Sequence, residues 1–112
     1  MSRKEIIELF LRLAKQYCNK GGFVFVPRPD NREFVARHGL SLHTIRDVIR
    51  QLTADTCFDG PEEDRDPKYA KKWTVAEFSP MLDGTKLYLK ISVNNEEQVC
   101  KCLSIKEYKE RD

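Results

Sequence analysis

The chain has 112 residues, 40% hydrophobic and 34% charged, a balance that fits one globular domain and excludes a disordered or membrane-embedded chain. No apolar run approaches the ~20 residues a membrane helix needs, and the charged N-terminal segment (Arg3, Lys4, Glu5, Glu8, Arg12, Lys15) does not read as a signal peptide. A single cytoplasmic domain over residues 1–112 is therefore expected, with no membrane partner.

The net charge of +2 is unevenly spread: residues 1–50 carry ten Lys/Arg against five Asp/Glu, residues 51–66 one against six, and residues 67–90 five against two. A basic body broken by one acidic segment is compatible with binding nucleic acid but does not diagnose it.

Residues 4–19 place Ile6, Leu9, Phe10, Leu13 and Tyr17 at helical spacing, with Ile7, Leu11, Ala14 and Cys18 as a second stripe. That pattern predicts a helix covered on more than one side. The Gly21-Gly22 pair ends it, because glycine accepts left-handed dihedrals. Residues 23–26 form a short apolar β-type run stopped by Pro27 and Pro29. A short helix over 31–38 follows, capped by Gly39, and Ser41 then caps a helix with Leu42, Ile45, Val48, Ile49 and Leu52 on one face. Its other face carries His43, Arg46, Arg50 and Gln51. Residues 53–67, with Asp59-Gly60-Pro61 and Asp64-Arg65-Asp66-Pro67, read as a loop from their turn chemistry.

The last third predicts antiparallel strands over 73–78, 86–93 and 99–105. Asp83-Gly84 is a strong hairpin signal and Asn94-Asn95 a usable one. Helices first and strands afterwards give an α+β fold, with the N-terminal helices packed on one face of an antiparallel sheet. The four cysteines (Cys18, Cys57, Cys100, Cys102) lack a C-x-x-C pair. They read as reduced, partly buried thiols rather than as disulfides or zinc ligands, so no metal and no cofactor is expected.

The strand over 86–93 alternates. Leu87, Leu89, Ile91 and Val93 share one face, and Lys86, Tyr88, Lys90 and Ser92 share the other. Because Val99, Leu103 and Ile105 are also odd-numbered, a three-residue turn over 94–96 pairs odd with odd. That register sets Tyr88 opposite Cys102 and Lys86 opposite Ser104, and brings Lys106 beside Gly84. The polar face then gathers Lys86, Tyr88, Lys90, Cys100, Cys102, Ser104 and Lys106. Lysines around a tyrosine suit an anionic ligand, since ammonium complements phosphate and an aromatic ring stacks on a base. An ordinary solvated sheet face carries the same pattern.

The segment from Gly39-Leu40, through the helix with Val48, Ile49 and Leu52 and the Gly-Pro-Glu-Glu-Asp-Arg-Asp stretch, resembles the toxin members of the MqsR family. The likeness continues through Trp73 and the Leu87-Tyr88-Leu89-Lys90-Ile91 strand to Ser104-Ile105-Lys106-Glu107, and spans roughly residues 21–107. It implies a RelE-like α+β fold and an mRNA interferase: a metal-independent endoribonuclease that cleaves mRNA and is silenced by a cognate antitoxin protein. A tyrosine in the Y-L-K strand and a lysine in the last strand are implicated in cleavage there, and fall here on Tyr88 and Lys106. Thr74 stands where the family has glutamine, and many relatives carry histidine at the position of Lys106. Under this reading Lys106 and Lys90 stabilise the strained phosphorane, while Tyr88 positions the phosphate or donates a proton. Arg65, Lys68, Lys72 and Lys86 are candidate contacts to the RNA backbone. Trp73 reads as a core anchor, and His38 and His43 lie in the helical half, unassigned. Two rival readings stand beside it. One is a helix-turn-helix DNA reader using Arg46 and Arg50; the other is an inert interaction domain.

Overall fold

A computed structural model describes residues 1–110, and within them the chain is an α+β fold. Helix α1 (Arg3–Asn19) opens with a capping box in which Ser2 and Glu5 satisfy each other's backbone groups. Its buried residues, Ile7, Phe10, Leu11, Ala14, Tyr17 and Cys18, form one stripe, while Ile6 and Leu9 stay 41% and 42% exposed. The sheet and a later helix both pack on it, as the two stripes in the sequence predict, but among the described residues the flank that carries Ile6 and Leu9 stays open.

At the helix end the chain passes Gly22, where an added Cβ would lie 2.2 Å from the carbonyl oxygen of Gln98. Only glycine lets the backbones approach that closely. Strand β1 (Phe23–Phe25) then runs parallel to the last strand, pairing Phe23 with Cys100 and Phe25 with Cys102. A parallel pair needs the long crossover that the intervening elements supply; neighbouring-strand logic alone does not predict it.

Helix α2 (Pro29–His38) starts at proline and ends at Gly39 in the left-handed conformation (φ 61°). Helix α3 (Leu42–Arg50) is capped by the Ser41 side chain on the Thr44 amide. Helix α3 packs chiefly on α1, whereas α2 packs on the last strand. The two do not form the paired unit of a helix-turn-helix. Arg46 is half-buried, with a guanidinium nitrogen 2.8 Å from His43 Nδ1, and Arg50 pairs with Asp47 at 3.4 Å.

Residues 53–67 are not all loop. A 3₁₀ turn (Ala54–Thr56) leads into β2 (Cys57–Glu63), which pairs antiparallel with β3 (Thr74–Phe78). The turn chemistry is real but local. Asp59-Gly60-Pro61 makes register breaks within the strand rather than ending it. Strands β4 (Met81–Leu82) and β5 (Thr85–Asn94) form the hairpin expected at Asp83-Gly84, both turn residues having positive φ (49° and 81°). With β6 (Val99–Glu107) the sheet order is β1-β6-β5-β3-β2, antiparallel apart from the β1–β6 pair.

The β5–β6 register differs from the expected one. The connection is four residues, 95–98, closed by an Asn94 side chain that accepts from the Glu97 amide and by Gln98 at φ 57°. An even-length turn pairs odd with even, so Val93 faces Cys100 and Ile91 faces Cys102. A bulge at Leu103 then restores odd-to-odd pairing, setting Leu89 against Ile105 and Tyr88 against Lys106. Cys100 and Cys102 consequently turn into the core, fully buried, and Lys101 turns out in their place.

The main core lies between the helices and the inner sheet face, built on Phe10, Ile45, Ile49, Phe78, Leu87, Leu89, Ile91 and Ile105. All four cysteines are buried there as free thiols. Burial pushes the Cys102 thiol up to about 12, which makes it a poor nucleophile.

Where β1 ends, the ladder along β6 continues by a side chain. Asn31, 2% exposed, donates from Nδ2 to the carbonyls of Val26 and Leu103 (2.9 Å each) and accepts from the Ile105 amide at Oδ1 (3.1 Å). An asparagine carries one acceptor oxygen and two donor hydrogens, and here it spends them as a strand residue would, across the Leu103 bulge. This fastens α2 along the open edge of β6.

Candidate functional site

Of the expected site residues, Lys86, Tyr88, Lys90 and Lys106 lie on strands β5 and β6 of the sheet. Tyr88 and Lys106 are direct cross-strand partners, and the Lys106 ammonium sits 4.9 Å from the centre of the Tyr88 ring. The same even-numbered face continues past the strand end to Tyr108, whose amide bonds the Lys86 carbonyl (2.9 Å) and whose ring lies 4.2 Å under the Lys86 ammonium. Phe58 of β2 completes an aromatic group, 5.9 Å from Tyr88 and 5.8 Å edge-on to Tyr108. Phe58 is 42% exposed, so this cluster is open to a ligand.

These residues border a hollow of about 830 Å³ at the sheet end, within the size of ligand pockets. The sheet contributes Phe58, Asp59, Glu77, Tyr88, Lys106, Glu107 and Tyr108, and α2 contributes Asp30, Glu33, Phe34, Arg37 and His38. The hollow thus joins the sheet to a helix that sequence alone leaves apart. His38 ends α2 with its ring centre 4.4 Å from that of Phe34 and its Nε2 3.3 Å from Glu107 Oε1. Five carboxylates against three cations line the hollow, which by itself opposes an anion. Three of those carboxylates have partners: Glu33 pairs with Arg37 (2.6 Å), which uses one of the three cations, Glu77 accepts from Tyr88 (2.5 Å), and Glu107 lies 3.3 Å from His38. Among the described residues, Lys86, Lys90 and Lys106 form no ion pair.

The Tyr88 hydroxyl donates to Glu77 Oε1. Partial burial, then this hydrogen bond and the negative charges of Glu77 and Asp59, push its pKa well above the usual tyrosine range. Tyr88 therefore stays protonated and is no base. Its neutral phenol is held more strongly folded than unfolded, so the stabilisation is complete below the ordinary value near 10 and is lost as pH climbs through the raised one. Glu77→Gln removes the charge but keeps an acceptor. The expected result is that Tyr88 titrates at lower pH, still above an unburied tyrosine because burial is the largest cause. Phenolate absorbance, with Tyr88→Phe subtracted to remove the other tyrosines, measures it; an unmoved curve would mean that burial acts alone.

The remaining expected residues are dispersed. Lys90 is two residues from Tyr88 on the same face and opposite Glu77 and Ser104, but it lines a separate hollow of about 80 Å³ together with Arg65. Arg65 is exposed and pairs with Glu62 at 3.4 Å. Lys68, over its neighbour Tyr69 at 5.4 Å, and Lys72 are exposed on the connection between β2 and β3 and border neither hollow. Cys100 and Cys102 leave the polar face altogether. Trp73 is 8% exposed, as an anchor would be, but it stands outside the main core cluster. Lys101 of β6 lies 4.1 Å over its ring, and the intervening strand β5 holds Ser92 and Asn94, each 1% exposed.

No protein-family model, curated protein or solved structure gives a significant match to the chain. Phe58, Tyr108 and His38 are the residues that sequence reasoning missed as a group. Tyr108 has a signal, the even-numbered polar parity carried past Lys106. Phe58 has none, because its strand is disguised by turn residues.

Proposed function

We propose that the protein is a metal-independent endoribonuclease that cleaves single-stranded mRNA at the hollow around Tyr88 and Lys106, acting as the toxin of a toxin–antitoxin pair. The observation that carries this reading is the cross-strand pairing of Lys106 with Tyr88. It places an ammonium that has no carboxylate partner among the described residues over an aromatic ring, on an open face beside Phe58 and Tyr108. Aromatic faces stack on bases irrespective of sequence, and lysines follow the phosphates. The resemblance to MqsR-type toxins, which puts a tyrosine and a lysine at these two positions, supports the same assignment and supplies the partner, a cognate antitoxin.

In the reaction the ribose 2′-oxygen attacks the adjacent phosphorus and the 5′-oxygen leaves, giving a 2′,3′-cyclic phosphate and a free 5′-hydroxyl. Negative charge grows on the phosphorane, where a fixed ammonium is worth most. Lys106 supplies that charge and Lys90 adds to it from along β5. Tyr88 stacks its ring on a base, and its hydroxyl, which donates to Glu77 in the free protein, positions the phosphate when a phosphate oxygen takes the place of that acceptor. Its raised pKa suits a hydrogen-bond donor better than a group that must lose its proton. Lys86 guides the backbone, with Arg65, Lys68 and Lys72 as outlying contacts.

Purified protein incubated with a mixed-sequence single-stranded RNA in EDTA is expected to yield fragments with cyclic phosphate and 5′-hydroxyl ends. Intact RNA, with or without EDTA, would sink the enzyme reading.

A further inference from the structure

Resting on that reading, we propose that His38 is the general base of the reaction and that Glu107 is its positioning residue. Taking the 2′-hydroxyl proton requires an acceptor near neutrality, and the groups bordering the hollow narrow the choice. Tyr88 holds its proton and Lys106 brings charge rather than a lone pair. The carboxylate of Glu77 already accepts from Tyr88, and that of Glu33 is paired with Arg37. Asp30 and Asp59 also border the hollow, but a carboxylate is ordinarily a far weaker base than imidazole for this proton. Imidazole is the side chain that exchanges protons in the physiological range.

His38 is placed for the task by two contacts of its ring and by the anchoring of its helix. Its ring rests on Phe34 (4.4 Å between centres). Glu107 Oε1 stands 3.3 Å from Nε2, which favours the tautomer with its proton on that nitrogen and leaves Nδ1 as the acceptor. The helix that carries it is locked to β6 by buried Asn31. Its side chain is 29% exposed, so substrate reaches it from the hollow. The charged groups that line the hollow with it are Asp30, Glu33 and Arg37 from α2, Asp59 of β2, Glu77 of β3, Lys106 and Glu107 from β6, and Lys109 beyond the strand end. The step balances. Nδ1 takes the proton of the 2′-hydroxyl as the 2′-O–P bond forms, and the P–O5′ bond breaks. The leaving oxygen takes a proton from solvent water, and the imidazolium returns its own to solvent.

The test compares purified unaltered chain with His38→Ala on the same single-stranded RNA. Binding is followed on the all-2′-O-methyl version, which has no nucleophile. His38→Ala is expected to bind that probe and melt as the unaltered chain does, and to cleave about 10²–10⁴-fold more slowly. Imidazole added to the buffer should restore part of the rate by entering the vacated surface gap. Glu107→Gln should slow cleavage less and gain nothing from imidazole. Cleavage by His38→Ala at the unaltered rate, or a loss that imidazole leaves untouched, overturns the role of His38 while the ribonuclease reading stands. Failure of the unaltered chain to cleave overturns both.

Discussion

Replacing Tyr88 with Phe and Lys106 with Ala should each slow RNA cleavage by about 10²-fold or more, and the double replacement should be little worse than the poorer single one. The magnitude follows from removing one preorganised charge (Lys106) or hydrogen-bond donor (Tyr88) from a developing anion, a loss of about 10²–10³ in rate where removal of one such donor has been measured. The non-additivity follows from the geometry. The Lys106 ammonium lies 4.9 Å from the Tyr88 ring centre and the residues are backbone partners, so each change disturbs the other's placement. Stability should hardly move, since Lys106 is exposed and Tyr88 only half-buried; surface changes of this kind fall within about 0.5 kcal/mol. Initial rates and thermal melts on the three variants separate the two effects. In cells, the double variant should relieve any growth arrest that the unaltered chain causes. A double variant that cleaves at the unaltered rate would remove Tyr88 and Lys106 from the site.

Much of this surface was legible from alternation alone. Lys86, Tyr88 and Lys90 share a face because Leu87, Leu89 and Ile91 must share the other, and the core confirms the division. The register was not legible, because one residue in a turn flips every side chain after it. The cysteines illustrate this: the three-residue turn put Cys100 and Cys102 outside, and the four-residue turn puts them in the core. The bulge at Leu103 undoes the flip further on, so Ser104 and Lys106 keep the face first assigned to them. A bulge carries no composition signal here. The side chain that bridges it is Asn31, over seventy residues away in sequence. Strand β2 was hidden for a related reason: Gly60 and Pro61 mark turns in isolation, and inside a sheet they mark irregular pairing. His38 entered the hollow only through the docking of α2, which no local pattern encodes.

That docking rests on Asn31, and Asn31→Ala is expected to destabilise the fold by about 3 kcal/mol. Three backbone groups would lose their partner: the Val26 and Leu103 carbonyls and the Ile105 amide. Each buried polar group left unmade costs about 1–3 kcal/mol, and water entering along the sheet edge offsets part of the sum. For a domain of this size the loss corresponds to a melting temperature lower by roughly 10 °C. Asn31→Asp sharpens the test. It keeps an acceptor for the Ile105 amide but turns carboxylate oxygens towards two carbonyls, so it should be no better than alanine although its shape is nearly conserved. Hydrogen exchange at the Ile105 amide should speed up in both variants before global unfolding, because the edge of β6 opens where α2 lifts. Cleavage should fall with it at temperatures where the fold persists, since His38 and Phe34 ride on the same helix. If Asn31→Asp melts with the unaltered protein, the side chain is filling space rather than extending the ladder. The hollow would then owe its shape to apolar packing of Phe34 alone.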